Sequence, residues 1–127
     1  MNFWLHTCPV VTLLSIGGCM TAQNYDGPQL PRDEVARISG DFRISAGAPI
    51  SVILRQVDGR TLSAGANAVD VLPGEHTLLV DCKIAETASI NRHSLKVDVV
   101  PGARYRLVAE TAPGLRECSA VHLESVN

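Results

Sequence analysis

Val69-Asp70-Val71-Leu72-Pro73-Gly74-Glu75-His76-Thr77-Leu78-Leu79-Val80 holds the pattern that decides the fold, because the chain uses it twice. Val97-Asp98-Val99-Val100-Pro101-Gly102 echoes its first half, and Leu107-Val108 falls in the same frame as Leu79-Val80. In each copy apolar and polar residues alternate, a Pro-Gly pair interrupts, and alternation resumes. Period-two alternation sets one face of an extended strand on a core and the other in water. Pro fixes φ at the first corner of a turn, and Gly accepts the positive φ of the second. Each copy reads as strand, turn, strand, which predicts two similar hairpins. Two copies do not make a solenoid, where at least about three are expected.

Outward from this stretch the same chemistry continues. Strands are expected over Glu34–Ser39, Ile50–Val57, Arg60–Ala64, Ala68–Leu72, His76–Ile84, Ser94–Val100, Arg104–Glu110 and Glu117–Leu123. Asp58-Gly59 is a two-residue hairpin signal, since both central positions of a type I′ turn need positive φ. Pro113-Gly114 marks the approach to the last strand. No helical stripe competes with these signals. About seven or eight short strands at this spacing predict an all-β domain, a small antiparallel β-sandwich, over residues 34–127. Aromatic residues make up only 4% of the chain, and beyond residue 18 they are Tyr25, Phe42 and Tyr105. The core is therefore aliphatic, and a domain of roughly 100 residues has little stability to spare.

Residues 1–18 contain no Asp, Glu, Lys or Arg, and Val10-Val11-Thr12-Leu13-Leu14-Ser15-Ile16 is an apolar run. That run has the length of a signal-peptide core and falls short of the ~20 residues a spanning helix needs. Ile16-Gly17-Gly18-Cys19 closes it and resembles the bacterial lipobox: an aliphatic residue, two small ones, then the cysteine that receives a diacylglyceryl group. The resemblance implies a lipoprotein signal peptide over residues 1–18, lipidation of Cys19, and a lipidated amino terminus with flexible tether over residues 19–33. Each buried acyl CH₂ contributes ~0.8 kcal/mol of membrane affinity, so several chains anchor durably. Met20, which is not Asp, implies onward sorting to the outer membrane. The amino-terminal hexapeptide departs from the signal pattern, having no Lys or Arg.

Of four cysteines, Cys8 leaves with the leader and Cys19 is taken by lipid. Cys82 and Cys118 remain, an even pair in an oxidising compartment, and are expected to form a disulfide. The alternative is two separate buried thiols. Closing a loop of roughly 35 residues stabilises by about 3–4 kcal/mol on the chain-entropy estimate. Redox catalysis has no support, because no Cys-x-x-Cys pair supplies attacking and resolving thiols.

Tyr25-Asp26-Gly27-Pro28, Leu30-Pro31 and Glu34-Val35-Ala36-Arg37-Ile38 resemble the opening of a group of small uncharacterised proteobacterial lipoproteins. Leu72-Pro73-Gly74-Glu75-His76-Thr77-Leu78, Cys82 and Pro101-Gly102-Ala103-Arg104-Tyr105-Arg106-Leu107 fit the same group. The Pro-Gly-x-His-x-Leu-x-Val element is also similar to PEGA-like and transthyretin-like surface β-sandwich modules. These resemblances imply a sandwich and an envelope address. They hand over no catalytic residue.

A net charge of −2 with scattered basic residues gives no electrostatic claim on nucleic acid. No Gly-x-Ser-x-Gly elbow or phosphate-cradling loop is present, and His93, Ser94 and Asp98 read as surface residues rather than a triad. His76, His93 and His122 lack metal-ligand spacing, and His76 is placed to bond neighbouring backbone at the start of its strand. No cofactor or metal is expected. The reading is a non-enzymatic, lipid-anchored protein on the periplasmic face of the cell envelope, at the outer membrane. Its domain would dock on an envelope protein or polysaccharide, with Tyr25 in the tether as one possible grip. The alternative is a periplasmic small-ligand or metal-binding module using the histidines.

Overall fold

Alternating side chains along ten strands build two sheets that pack face to face. The computed structural model describes residues 20–45, 48–63, 66–111 and 117–126. The leader, Cys19, Ala64 and Pro113-Gly114 lie outside the described residues. In chain order the strands are β1 (Met20–Gln23), β2 (Ala36–Ser39), β3 (Asp41–Ser45), β4 (Ala48–Val57) and β5 (Arg60–Thr61), then β6 (Ala66–Val71), β7 (Gly74–Ile84), β8 (Ser89–Val99), β9 (Arg104–Thr111) and β10 (Cys118–Val126). The first sheet has the order β1-β6-β2-β9-β10, and the second β3-β4-β7-β8 with β5 added against β4. Among the described residues no helix is long and apolar enough to cross a membrane.

The core lies between the sheets. Ile38, Val69, Val71 and Leu107 of the first meet Leu54, Leu78, Val80 and Ile84 of the second, all essentially without solvent exposure. Every second residue of β4 from Ala48 to Leu54 is buried, as alternation predicts. A bulge between Leu54 and Gln56 then shifts the frame, so that Val57 returns to the interior.

Three expectations are corrected. Among the described residues ten strands form where seven or eight were expected, because β1 and β3 were not read as strands. β3 does alternate, but its large apolar side chains, Phe42 and Ile44, face solvent, and β1 has only four residues. The sandwich is mixed rather than wholly antiparallel, since β1 runs parallel to β6 and β2 parallel to β9. The repeated Pro-Gly elements are not hairpin turns. Each carries the chain from one sheet to the other, β6 to β7 and β8 to β9. Gly74 and Gly102 do take positive φ, +120° and +80°. Residue chemistry set the bend, while the partner of each strand was decided by the opposing sheet.

The Asp58-Gly59 signal gives the expected tight hairpin between β4 and β5, with Asp58 itself at φ +51°. Gly40 has a different task. It sits where the chain leaves β2 of the first sheet for β3 of the second, and a Cβ there would collide with the Val52 carbonyl oxygen. Only a residue without a side chain lets the two sheets approach so closely at this corner.

Short crossovers orient the sandwich. Leu72-Pro73 joins the end of β6 to the start of β7, and 100–103 joins β8 to β9. These links define a distal end. The start of β1 at Met20, paired with Ala66, lies at the opposite, proximal end, as does the turn 85–88 between β7 and β8.

Candidate functional site

The stretch that carries the chain into the domain is built in, not loose. Thr21, Ala22 and Gln23 of β1 pair with Ala68, Val69 and Asp70 of β6, and the Asn24 amide donates to the Asp70 carbonyl at 3.0 Å. The Gln23 side-chain amide then donates to the carbonyls of Tyr25 and Gly27, at 3.0 and 2.8 Å. Tyr25 is buried and its hydroxyl accepts from the Leu30 amide at 3.0 Å. Residues 32–34 form a single 3-10 turn before β2. The flexible tether expected over residues 19–33 is corrected accordingly from Met20 on: an exposed sheet edge satisfies backbone groups that a tether would leave to water. Tyr25 is spent on this packing and is not a free grip for a partner. Cys19, the expected lipidation site, lies outside the described residues and immediately precedes the first residue of β1 in the sequence.

Cys82 and Cys118, paired by counting, lie next to each other. Cys82 shares the inward face of Leu78 and Val80 on β7, and both cysteines are buried. Their Cα atoms are 6.2 Å apart and their sulfurs are in bonding contact, a disulfide-distance pair. The link joins β7, inside the second sheet, to β10, the edge of the first. The Cys118 amide also donates to the Asn91 side-chain oxygen at 3.1 Å, tying β10 to β8 as well.

Two carboxylates were missed. Asp70 and Asp81 are 5% and 3% exposed, each clamped by arginines that the sequence shows only as scattered basic residues. Asp70 on β6 lies opposite Arg37 on β2, which donates from Nε and Nη2 at 2.8 and 3.1 Å, while Arg32 approaches to 3.5 Å. Asp81 on β7 lies opposite Arg92 on β8, donating at 2.8 and 3.0 Å, and Arg55 of β4 adds a bond at 2.9 Å. The Arg92 hydrogen bond, reinforced by Arg55 against the effect of burial, holds the Asp81 carboxyl below its ordinary range. The Arg37 guanidinium is correspondingly held above its ordinary value, first by the hydrogen bond to Asp70. A sequence signal existed for both: each Asp is flanked by two residues that belong in a core, Val69 and Val71 or Val80 and Cys82. These clamps fasten neighbouring strands.

The histidines do not converge. His76, at the start of β7, lies between the Asp58 carboxylate (Nδ1 to Oδ2, 2.5 Å) and the Leu72 carbonyl (Nε2 to O, 2.6 Å). The backbone partner matches the sequence reading, and Asp58 adds a second. Asp58 also accepts from the Thr77 amide at 2.8 Å. Burial would raise the Asp58 pKa, but the His76 and Thr77 hydrogen bonds together with the His76 charge outweigh it, and the net direction is down. His93 is on β8 with Nε2 buried and without a partner. His122 is on β10 between Glu110 and Glu124, each 3.0 Å from a ring nitrogen. Among the described residues no three His, Cys, Asp or Glu side chains are arranged to hold a metal ion. Ser94 and Asp98 are exposed on β8, whereas His93 between Arg92 and Ser94 turns to the other face. No nucleophile–base–acid trio results from them.

Two shallow concavities accompany these features. One is lined by Asp41 and Arg43 of β3, Arg106 and Val108 of β9 and Glu124 of β10. Arg43 is already bonded to Asp41 at 3.1 Å. The other lies between β1 with the residues that follow it and β5, with Tyr25 and Arg60 in its lining. No family model matches the chain, and neither the curated proteins nor the solved structures contain a match.

Proposed function

We propose that the chain is an exported lipoprotein, anchored through lipid on Cys19 on the periplasmic side of the outer membrane, whose β-sandwich serves as a non-enzymatic interaction module of the cell envelope. The observation that carries this reading is the tetrapeptide Ile16-Gly17-Gly18-Cys19 at the close of an uncharged apolar leader. Two structural features support it. A cysteine pair at disulfide distance suits an oxidising compartment. The last leader residue and the lipid-accepting cysteine come immediately before the first strand, where a leader would be cut from a folded body.

Its partner is an envelope protein or polysaccharide. The free backbone edge of β8 favours the protein. Among the described residues this strand of eleven residues pairs with β7 on one side only, and recognition by strand addition uses such an edge. Arg92, Lys96 and Asp98 along it discourage indiscriminate pairing.

Labelled palmitate tests the anchor: incorporation is expected in the native protein and lost in Cys19→Ala. Label persisting in that variant would overturn the assignment. Crosslinking in the native host followed by affinity capture tests the module. A discrete envelope partner is expected, and recovery of lipid neighbours alone would sink the interaction reading.

A further inference from the structure

We infer that the proximal rim of the sandwich is a membrane-contact surface, with Phe42, Ile44 and Ile90 seated in the phospholipid interface beside the anchor. The inference rests on the proposed lipidation of Cys19 and adds to it an orientation and a second attachment.

The first observation is the missing spacer. β1 begins at Met20, paired with Ala66, so acyl chains on Cys19 enter the bilayer one residue from the edge of a folded sheet. A lipoprotein with a long tether holds its domain away from the headgroups, and this one brings its proximal end down to them. The β7–β8 turn 85–88 and the pairing of Ser45 with Ala48 at the end of the β3–β4 hairpin lie at that same end.

The second observation is what that end exposes. Of the five large apolar side chains exposed among the described residues, three are there: Phe42 at 63%, Ile44 at 66% and Ile90 at 60%. The other two, Leu72 and Val100, precede the crossover prolines at the distal end. Scattered exposed apolar residues are ordinary, but clustering them at the anchored end is not expected of a surface facing only water. Phe42 is one of only three aromatic residues beyond the leader, in a domain whose core uses aliphatic side chains. The two tyrosines are held by hydroxyl hydrogen bonds to backbone amides, whereas the phenylalanine is left outside.

Register places these side chains together. Phe42 pairs with Ser51, Ser51 with Lys83 and Lys83 with Ile90, so all four share one row on the outer face of the second sheet. At the usual inter-strand spacing Phe42 and Ile90 stand about 14 Å apart. Ile44 continues the same face of β3 one step nearer the rim, opposite Pro49. Lys83, exposed midway along the row, is placed to reach a lipid phosphate while its methylene stem lies along the apolar neighbours. Glu86 and Glu117, exposed near the same end, offset its charge. The contact is therefore mainly apolar in character.

The mature chain offers a clean reporter, because its one tryptophan is Trp4 in the leader. Phe42→Trp, Ile90→Trp and, as a distal control, Val100→Trp would each be prepared as full-length lipoprotein. Each would be placed in vesicles of phosphatidylethanolamine and phosphatidylglycerol, with and without brominated acyl chains. The Phe42→Trp and Ile90→Trp proteins should shift their emission to the blue and be quenched by bromolipid from a depth of about 5–10 Å below the headgroup boundary. The Val100→Trp protein should stay open to acrylamide. All three positions are exposed, so unchanged thermal unfolding is expected and would be checked. Acylated protein whose rim reporters are as accessible to acrylamide as the distal control would overturn the contact and leave the anchor standing. An amino-terminal peptide without acyl mass would overturn the lipoprotein reading and the contact with it.

Discussion

Breaking the Cys82–Cys118 link is the perturbation whose size the structure fixes best. The two residues are 36 apart in sequence, so the bond closes a loop of that order in the unfolded chain. The chain-entropy relation for such a loop gives about 4 kcal/mol at 25 °C. Removing either sulfur forfeits the whole of it, whichever partner is changed. Cys82 is fully buried in the main core cluster, so Cys82→Ala adds a packing loss of about 1 kcal/mol. A domain of this size has a total stability of about 5–15 kcal/mol, so the link accounts for a large share. With a urea m-value of roughly 1.5 kcal/mol/M, the unfolding midpoint of Cys118→Ala should fall by about 2–3 M. The double variant should fall little further, because the single change has already opened the loop. Urea titrations of native, both single and double variants form a complete cycle. Two results would refute the reasoning. One is small single effects that simply add, which describes two packed thiols. The other is native protein in which two thiols can be alkylated without reductant.

Three further outcomes follow from particular contacts. Gly40→Ala should destabilise by about 1–3 kcal/mol, read from urea midpoints, because the new methyl meets the rigid Val52 carbonyl rather than a movable side chain. Asp58 and Asp81 both have pKa values held below the ordinary carboxylate range in the folded state, so each adds stability above its unfolded value near 4, and that stability is lost as pH falls through the lower folded value. Stability measured from about pH 5 downward should therefore decline, and Asp81→Asn should flatten the decline while lowering stability at neutral pH. Tyr25→Phe should cost about 1 kcal/mol by leaving the Leu30 amide without its acceptor, with faster amide hydrogen exchange at Leu30 as the local sign.

What could be read from residues alone follows from local rules. Alternation depends only on side-chain period, so Leu78, Val80 and Cys82 were assignable to one inward face. The Asp58-Gly59 hairpin and the bends at Pro73-Gly74 and Pro101-Gly102 depend only on dihedral preference. Cys82 and Cys118 were paired by counting. The proposed lipidation of Cys19 rests likewise on four adjacent residues. Local rules were silent where a residue's role came from a distant partner. Asp70 and Asp81 looked like ordinary surface acids until the strands carrying Arg37, Arg55 and Arg92 were laid beside them. Nothing in Met20–Gln23 announces a strand, because its backbone groups are satisfied by β6, more than forty residues later.

Sequence by itself thus determined that the described domain is built of strands, where it bends and which faces are apolar. Tertiary structure alone decided that each Pro-Gly bend changes sheets, that the stretch after Cys19 is an edge strand and not a tether, and that Phe42, Ile44 and Ile90 gather at one rim. The division has one physical cause. Side-chain period and φ preference are properties of neighbouring residues, whereas strand pairing is a choice among remote edges, settled only when the two sheets bury their apolar faces against each other.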